Sequence, residues 1–159
     1  MITFSRSMLV GGEFLDETTV RFHGILEDHI YAMEIQMDVR IPDGVIAAIE
    51  GSMKRYTNPV CPRAVDVLQD AVGVSLREEG WASRIYREIG RKGCQHFAEI
   101  LIECGRCMDL ARMAHDLTPT IAGDPAASTT ELANAWLQEH PEVQGSCMAQ
   151  PTRGSGGAN

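Results

Sequence analysis

The sequence predicts an α+β fold: an N-terminal antiparallel β-meander of three to four strands packed against three to four C-terminal helices. Two observations carry this. Up to about residue 56 apolar residues recur at every second position, and from residue 61 onward they recur every third or fourth. A third concerns size. A chain of 159 residues, 44% hydrophobic and 23% charged, has the composition of a globular protein and the length to bury one core without staples. The expected organisation is one α+β domain over residues 1–144 and a tail over 145–159.

Taking the elements in order, residues 2–10 supply a candidate first strand. Val20 and Phe22 then alternate with Arg21 and His23, in a strand expected to run to a turn near residues 24–29. The clearest strand spans residues 30–41, where Met33, Ile35, Met37 and Val39 alternate with Glu34, Gln36, Asp38 and Arg40. That period puts one row on the core and the other in water. Pro42-Asp43-Gly44 makes a turn, because proline presets its φ and glycine accepts a positive one. Residues 45–56 form the second arm of the hairpin.

After Asn58-Pro59 the period changes. Cys61-Pro62 opens a helix with the stripe Ala64, Val65, Leu68 and Val72, and Gly73 ends it. Ser75 and Glu78 have the spacing of a capping box ahead of a helix marked by Trp81, Ile85 and Ile89. A long helix is expected over residues 93–115, with Cys94, Phe97, Leu101, Cys104, Met108 and Ala111 on one side. A last short helix over residues 128–139 carries Leu132, Ala135 and Trp136. The tail is rich in Gly, Ser and Gln, a composition expected to be disordered.

Charge and cysteine usage narrow the function classes. The formal net charge is −8, so an acidic surface opposes binding to nucleic acid or to anionic membrane. The basic cluster Arg87, Arg91 and Lys92 is explained by placement at helix ends. No apolar run has the length of a membrane span, and the first residues lack a basic segment followed by an apolar one. A cytoplasmic location is therefore expected. Five cysteines, an odd number in that setting, point to buried, ligating or reactive thiols before disulfides.

Metal-type side chains concentrate at three element boundaries: Glu27-Asp28-His29 between two strands, Cys61 after the last strand, and Gly93-Cys94-Gln95-His96 at the start of the long helix. Free N–H groups and the positive dipole end of a helix favour thiolate over thiol. Thiolate and neutral imidazole together suit Zn²⁺ or Fe²⁺. The bland reading of Cys94 is a core thiol, since it begins an apolar stripe, and at this point both readings stand. Cys104 reads as core. Cys104-Gly105-Arg106-Cys107 has C-x-x-C spacing but lies inside a helical pattern without the preceding strand of a redox motif. His115 reads as a helix-end residue, His23 and His140 carry no signal, and Cys147 falls in the tail.

The stretch from residue 28 to residue 108 resembles a family of bacterial proteins known as a domain of unknown function. Its members share an Asp/His turn, a hairpin, a Cys after the hairpin and a Gly-Cys-Thr-His-Leu helix start. Here those features read Glu27-Asp28-His29, the hairpin from Met33 to Met53, Pro59-Val60-Cys61 and Gly93-Cys94-Gln95-His96-Phe97. Gln95 and Phe97 replace Thr and Leu and leave the ligand types intact. The order of features is also similar to iron–sulfur scaffold proteins of the IscU/NifU type, with Asp28-His29, Cys61 and Cys94/His96 at the corresponding places. Two departures set it apart: the first scaffold Cys is missing, and His96 follows its Cys instead of preceding it.

Together these readings lead to an expected divalent metal, Zn or Fe, on His29, Cys61, Cys94 and His96. As a Lewis acid it would serve a lyase of the retro-aldol type or a hydrolase acting on a small molecule. Asp28 and Glu27 are the candidate proton carriers, and Arg21, Arg55 and Arg63 the candidates for holding a substrate carboxylate. The family resemblance implies an aromatic catabolic intermediate as substrate. A homo-oligomer is compatible with all of this. Two other classes stay open: a scaffold handling metal or iron–sulfur clusters, and a structural or adaptor protein whose Cys and His are buried.

Overall fold

The structure is a computed structural model that describes residues 1–143. Contacts gather the chain into two compact units, Met1–Met108 and Asp109–Asn159. The domain expected over residues 1–144 spans both units, and the expected tail over 145–159, with Cys147, lies outside the described residues.

The first unit is an α+β fold. Strands β1 (Arg6–Asp16), β2 (Thr19–Asp28), β3 (Ala32–Arg40) and β4 (Ile46–Arg55) form one antiparallel meander in the order β1-β2-β3-β4. Alternation sends Val20, Phe22 and Leu26 of β2 to one face, together with Met33, Ile35, Met37 and Val39 of β3, all essentially buried. The opposite face carries the polar row, including the Arg21–Asp38 pair at 2.7 Å.

Two expectations about the strands change. The first strand runs over residues 6–16 in place of 2–10, and β2 continues through Gly24 to Asp28. Gly24 sits mid-strand for a packing reason. A Cβ there would stand 2.4 Å from Cγ2 of Ile100 and 2.8 Å from Sγ of Cys104, so only glycine lets the overlying helix come this close to the sheet.

The helical layer is more broken than the apolar stripes predict. After β4 the chain makes a 3₁₀ turn (Cys61–Arg63), one turn of helix α1 (Ala64–Val67) and a second 3₁₀ turn (Leu68–Ala71). The capping box expected at Ser75 and Glu78 does not form. The Ser75 hydroxyl donates to the Asp43 carbonyl, and helix α2 (Trp81–Ile85) starts after Gly80, which has φ +77°. A π-helical turn (Tyr86–Gly90) follows.

The long helix expected over residues 93–115 is two helices, α3 (Gln95–Arg106) and α4 (Met108–Gly123). Cys107 separates them, its N–H turned back to the carbonyls of Glu103 and Cys104. Helix α3 lays Phe97, Ala98, Ile100, Leu101 and Cys104 on the sheet, all fully buried. Burial pushes the Cys104 thiol up to about 12, as a core thiol requires.

The second unit holds most of α4 and helix α5 (Thr129–Glu139), capped by Ser128, whose Oγ accepts from the Glu131 N–H. Trp136 donates its indole N–H to Asp116 at 2.9 Å and stacks on His140 at 3.8 Å between ring centroids. No helix among the described residues is long and apolar enough to cross a membrane.

Candidate functional site

Cys94 is the N-cap of α3, with an extended backbone (φ −141°, ψ 124°) and no capping hydrogen bond from its side chain. It is delivered there by the π-turn, because the N–H groups of Gly93 and Cys94 both return to the Ile89 carbonyl. Gly93 permits the next step. A Cβ at that position would stand 2.9 Å from Cβ of Val67, so glycine lets the start of α3 close against α1.

Cys61 opens the 3₁₀ turn on the facing wall. Its N–H donates to the Asn58 carbonyl at 2.9 Å, while Oδ1 of Asn58 accepts from the Val60 N–H. Cys61 and Cys94 therefore line one cavity of about 370 Å³, together with Tyr31, Met53, Val60, Val67, Arg63 and Lys92. That volume is in the range of small-molecule sites. All four described cysteines, Cys61, Cys94, Cys104 and Cys107, are free thiols.

His96 is the second residue of α3. Its Nδ1 lies 3.8 Å from Sγ of Cys94, and Tyr31 covers its ring at 4.4 Å between centroids. On the other side Nη2 of Arg6 lies 3.2 Å from Nε2. Arginine only donates, so Nε2 is the acceptor, and in the neutral ring the proton sits on Nδ1, facing the thiol. Burial, and after it the charge of Arg6, lower the pKa of His96 and keep the imidazole neutral near pH 7.

Asp28 anchors this arrangement from below. Its side chain is 1% exposed and accepts from the N–H groups of Ile30 and Tyr31, both at 2.7 Å, and from Nε of Arg6 at 2.9 Å. The Tyr31 N–H foremost, with the Ile30 N–H and Arg6, holds its carboxyl at about 2. These bonds fix the turn that sets Tyr31 over His96. The same bonds occupy the carboxylate expected to be a proton carrier and hold it ionised through the neutral range.

The other expected site residues divide. Strand alternation turns Glu27 to the opposite face from Asp28, where it pairs with Arg55 at 3.2 Å. Arg55 also donates to the carbonyls of Asp28 and Tyr31, so it braces the turn. Arg21 is held by both oxygens of Asp38 on the polar face. Of the three arginines, Arg63 lies on the cavity, and no carboxylate pairs with it among the described residues. Lys92, also on the wall, is paired with Glu88.

His29 packs edge-on against Phe4, with 5.3 Å between centroids. The geometry thus brings Cys94 to His96, and Cys61 to the same cavity. Among the described residues no three His, Cys, Asp or Glu side chains converge on one point. Sequence reading missed Arg6 and Tyr31. Arg6 is found only through the β1–β2 register, which sets it opposite Asp28.

Fold and site define a class: an α+β protein whose four-stranded meander supports a thiol–imidazole pair at a helix start, beside a cavity of small-molecule size. Within that class the family is shown by sequence. Residues 7–109 match the model of DUF2889, described as a protein of unknown function, and the chain belongs to that family. No curated protein and no solved structure matches it.

Proposed function

We propose that the protein is a metal-dependent enzyme, a lyase of the retro-aldol type or a hydrolase, acting on a small molecule in the cavity beside Cys61 and Cys94. In this reading Cys94, His96 and Cys61 hold a divalent ion, Zn or Fe. When bound, the ion supplies Lewis-acid polarisation of a substrate oxygen.

The observation that carries the reading is the 3.8 Å between Sγ of Cys94 and Nδ1 of His96. Two tetrahedral zinc ligands, with Zn–S about 2.3 Å and Zn–N about 2.0–2.1 Å, stand about 3.6 Å apart. The pair fits one ion within a few tenths of an ångström. Closing the set takes two side-chain movements: Cys61 turns across the shared wall toward Cys94, and His96 presents Nδ1 without its proton.

The chain's own residues supply the rest. Arg63 takes a substrate carboxylate at the cavity wall. Tyr31, Met53, Val60 and Val67 give the body of the substrate an apolar bed, in keeping with an aromatic catabolic intermediate. Asp28 positions Arg6 and Tyr31 around the His96 ring. The reading places the protein in the cytoplasm, where its thiols stay reduced.

A specific observation favours a second reading. Nδ1 of His96 lies 3.8 Å from Sγ of Cys94. Once Arg6 releases Nε2 and the ring changes tautomer, Nδ1 takes the thiol proton, giving a thiolate nucleophile beside an imidazolium that returns the proton to the leaving group without an ion. Metal content separates the two. Protein purified without chelator or nickel should carry near-stoichiometric zinc or iron, and Cys94→Ala and His96→Ala should lose it while keeping the wild-type circular dichroism. Wild-type protein free of metal, with Cys94 the fastest thiol to alkylate, would overturn the first reading in favour of the second. Iron accompanied by acid-labile sulfide would move the protein to the scaffold class.

A further inference from the structure

We propose a second ligand site, separate from the cavity at Cys94: a groove that takes an organic phosphate of nucleotide size. The groove has a volume of about 500 Å³ and lies between α2, the π-turn and the outer side of α3. Three arginines line it, Arg87, Arg91 and Arg106, together with Ser83, Tyr86 and Ile102.

Charge is the first argument. The chain carries a net charge of −8, yet no acidic side chain lines this groove. Arg87 touches Glu88 at 3.1 Å and Arg106 touches Glu103 at 3.5 Å, both pairs on the surface. Exposed pairs of this kind are weak and exchange readily for a stronger anion. Arg91 has no ion-pair partner among the described residues.

Geometry is the second. Arg87 and Arg91 stand four positions apart across the π-turn, which brings them to one side, and Arg106 comes from the last turn of α3. Such π-turns are rare and frequently accompany functional sites. Guanidinium forks match phosphate oxygens bidentately, and three forks suit a group with two negative charges better than a single carboxylate.

Size and surface fix the rest of the ligand. The volume exceeds what an inorganic anion needs and lies within the range of cofactor-sized sites. Tyr86, 38% exposed, with Ile102 and Ala82, offers an apolar floor on which a flat base can stack. A nucleic-acid strand would need cations extending beyond the groove and would meet the acidic remainder of the surface.

Calorimetric titration of the full chain tests the proposal, with ADP, adenosine and pyrophosphate as probes at low salt. ADP should bind with a sub-millimolar Kd, and adenosine should not bind detectably. Arg91→Ala should weaken ADP roughly tenfold, the loss of about one charge-assisted contact. Arg84→Ala removes an exposed arginine of α2 outside the groove and should leave binding unchanged. Absence of ADP binding overturns the proposal, as does equal weakening by Arg84→Ala and Arg91→Ala, which would reduce the effect to net charge. Pyrophosphate binding as tightly as ADP overturns the nucleotide-sized ligand. Neither variant touches Cys61, Cys94 or His96, so the outcome is independent of the metal reading.

Discussion

Nη2 of Arg6 lies 3.2 Å from Nε2 of His96, joining the first strand to the start of α3 across ninety positions of sequence. The contact blocks one ring nitrogen and so dictates which tautomer Cys94 faces. Arg6→Gln should keep the fold at neutral pH, because Asp28 retains its two backbone N–H partners. Under the metal reading the variant should hold zinc at least as tightly as wild type, since it releases the ring to change tautomer. Competition with a chromophoric chelator measures this. A clear weakening would mean that Arg6 holds the His96 ring in place for the ion more than it restrains the tautomer.

The acid limb of stability should report on Asp28. Its folded carboxyl is held at about 2, below the ordinary 3.8, by the Tyr31 and Ile30 N–H groups and by Arg6. A depressed carboxyl contributes stability that is fully present above about pH 4 and is lost as pH falls from there to about 2. Urea unfolding of wild type and Asp28→Asn should therefore differ most at neutral pH, and the difference should shrink through that window. Curves that stay parallel down to pH 2 would show that the three bonds at Asp28 do not carry this linkage.

Much of the fold is legible in the sequence, because burial of one sheet face imposes a period of two on β2 and β3. Helix α5 is legible through the spacing of Leu132 and Trp136. The misread segments have a common cause. Stripe periodicity reports which side is buried and says nothing of breaks: Cys104, Met108 and Ala111 continue one row across Cys107, where the backbone turns. Gly24 reads as a turn because a glycine needed for close packing looks the same in sequence as one needed for positive φ. At the site, Cys94 and His96 are legible as a local pair. The cavity shared with Cys61 depends on Gly93 closing α3 against Val67, and the role of Arg6 depends on strand register. Neither contact has a local pattern.

The two cysteines of the C-x-x-C stretch should differ sharply in reactivity. Cys104 is fully buried, and burial pushes its thiol up to about 12; Cys107 is half-buried at the helix break and raised less. Thiolate is the reacting form, so access and ionisation act in the same direction. Peptide mapping after brief iodoacetamide treatment of native protein should find Cys107 modified well before Cys104. Modification of Cys104 at the rate of Cys107 would mean that α3 leaves the sheet on the time scale of the experiment.

The seat of α3 on the sheet is where stability and site meet, and Gly24→Ala tests it. The added methyl would enter within 2.4 Å of Ile100 and 2.8 Å of Cys104, both fully buried. Overpacking of this kind costs about 1–3 kcal/mol, because neighbouring side chains or the helix must shift. The same displacement tilts the α3 start, which carries Cys94 and His96, so metal affinity should fall along with the denaturation midpoint. Ser128→Ala provides the contrast. Losing an N-cap costs about 1 kcal/mol, and it does so in α5, within the other unit. That variant should lower stability and leave metal affinity at the wild-type value. Equal loss of affinity in both would mean that metal binding follows global stability and not the position of α3. Loss in Gly24→Ala alone would tie the ligand pair to the helix–sheet contact that glycine permits.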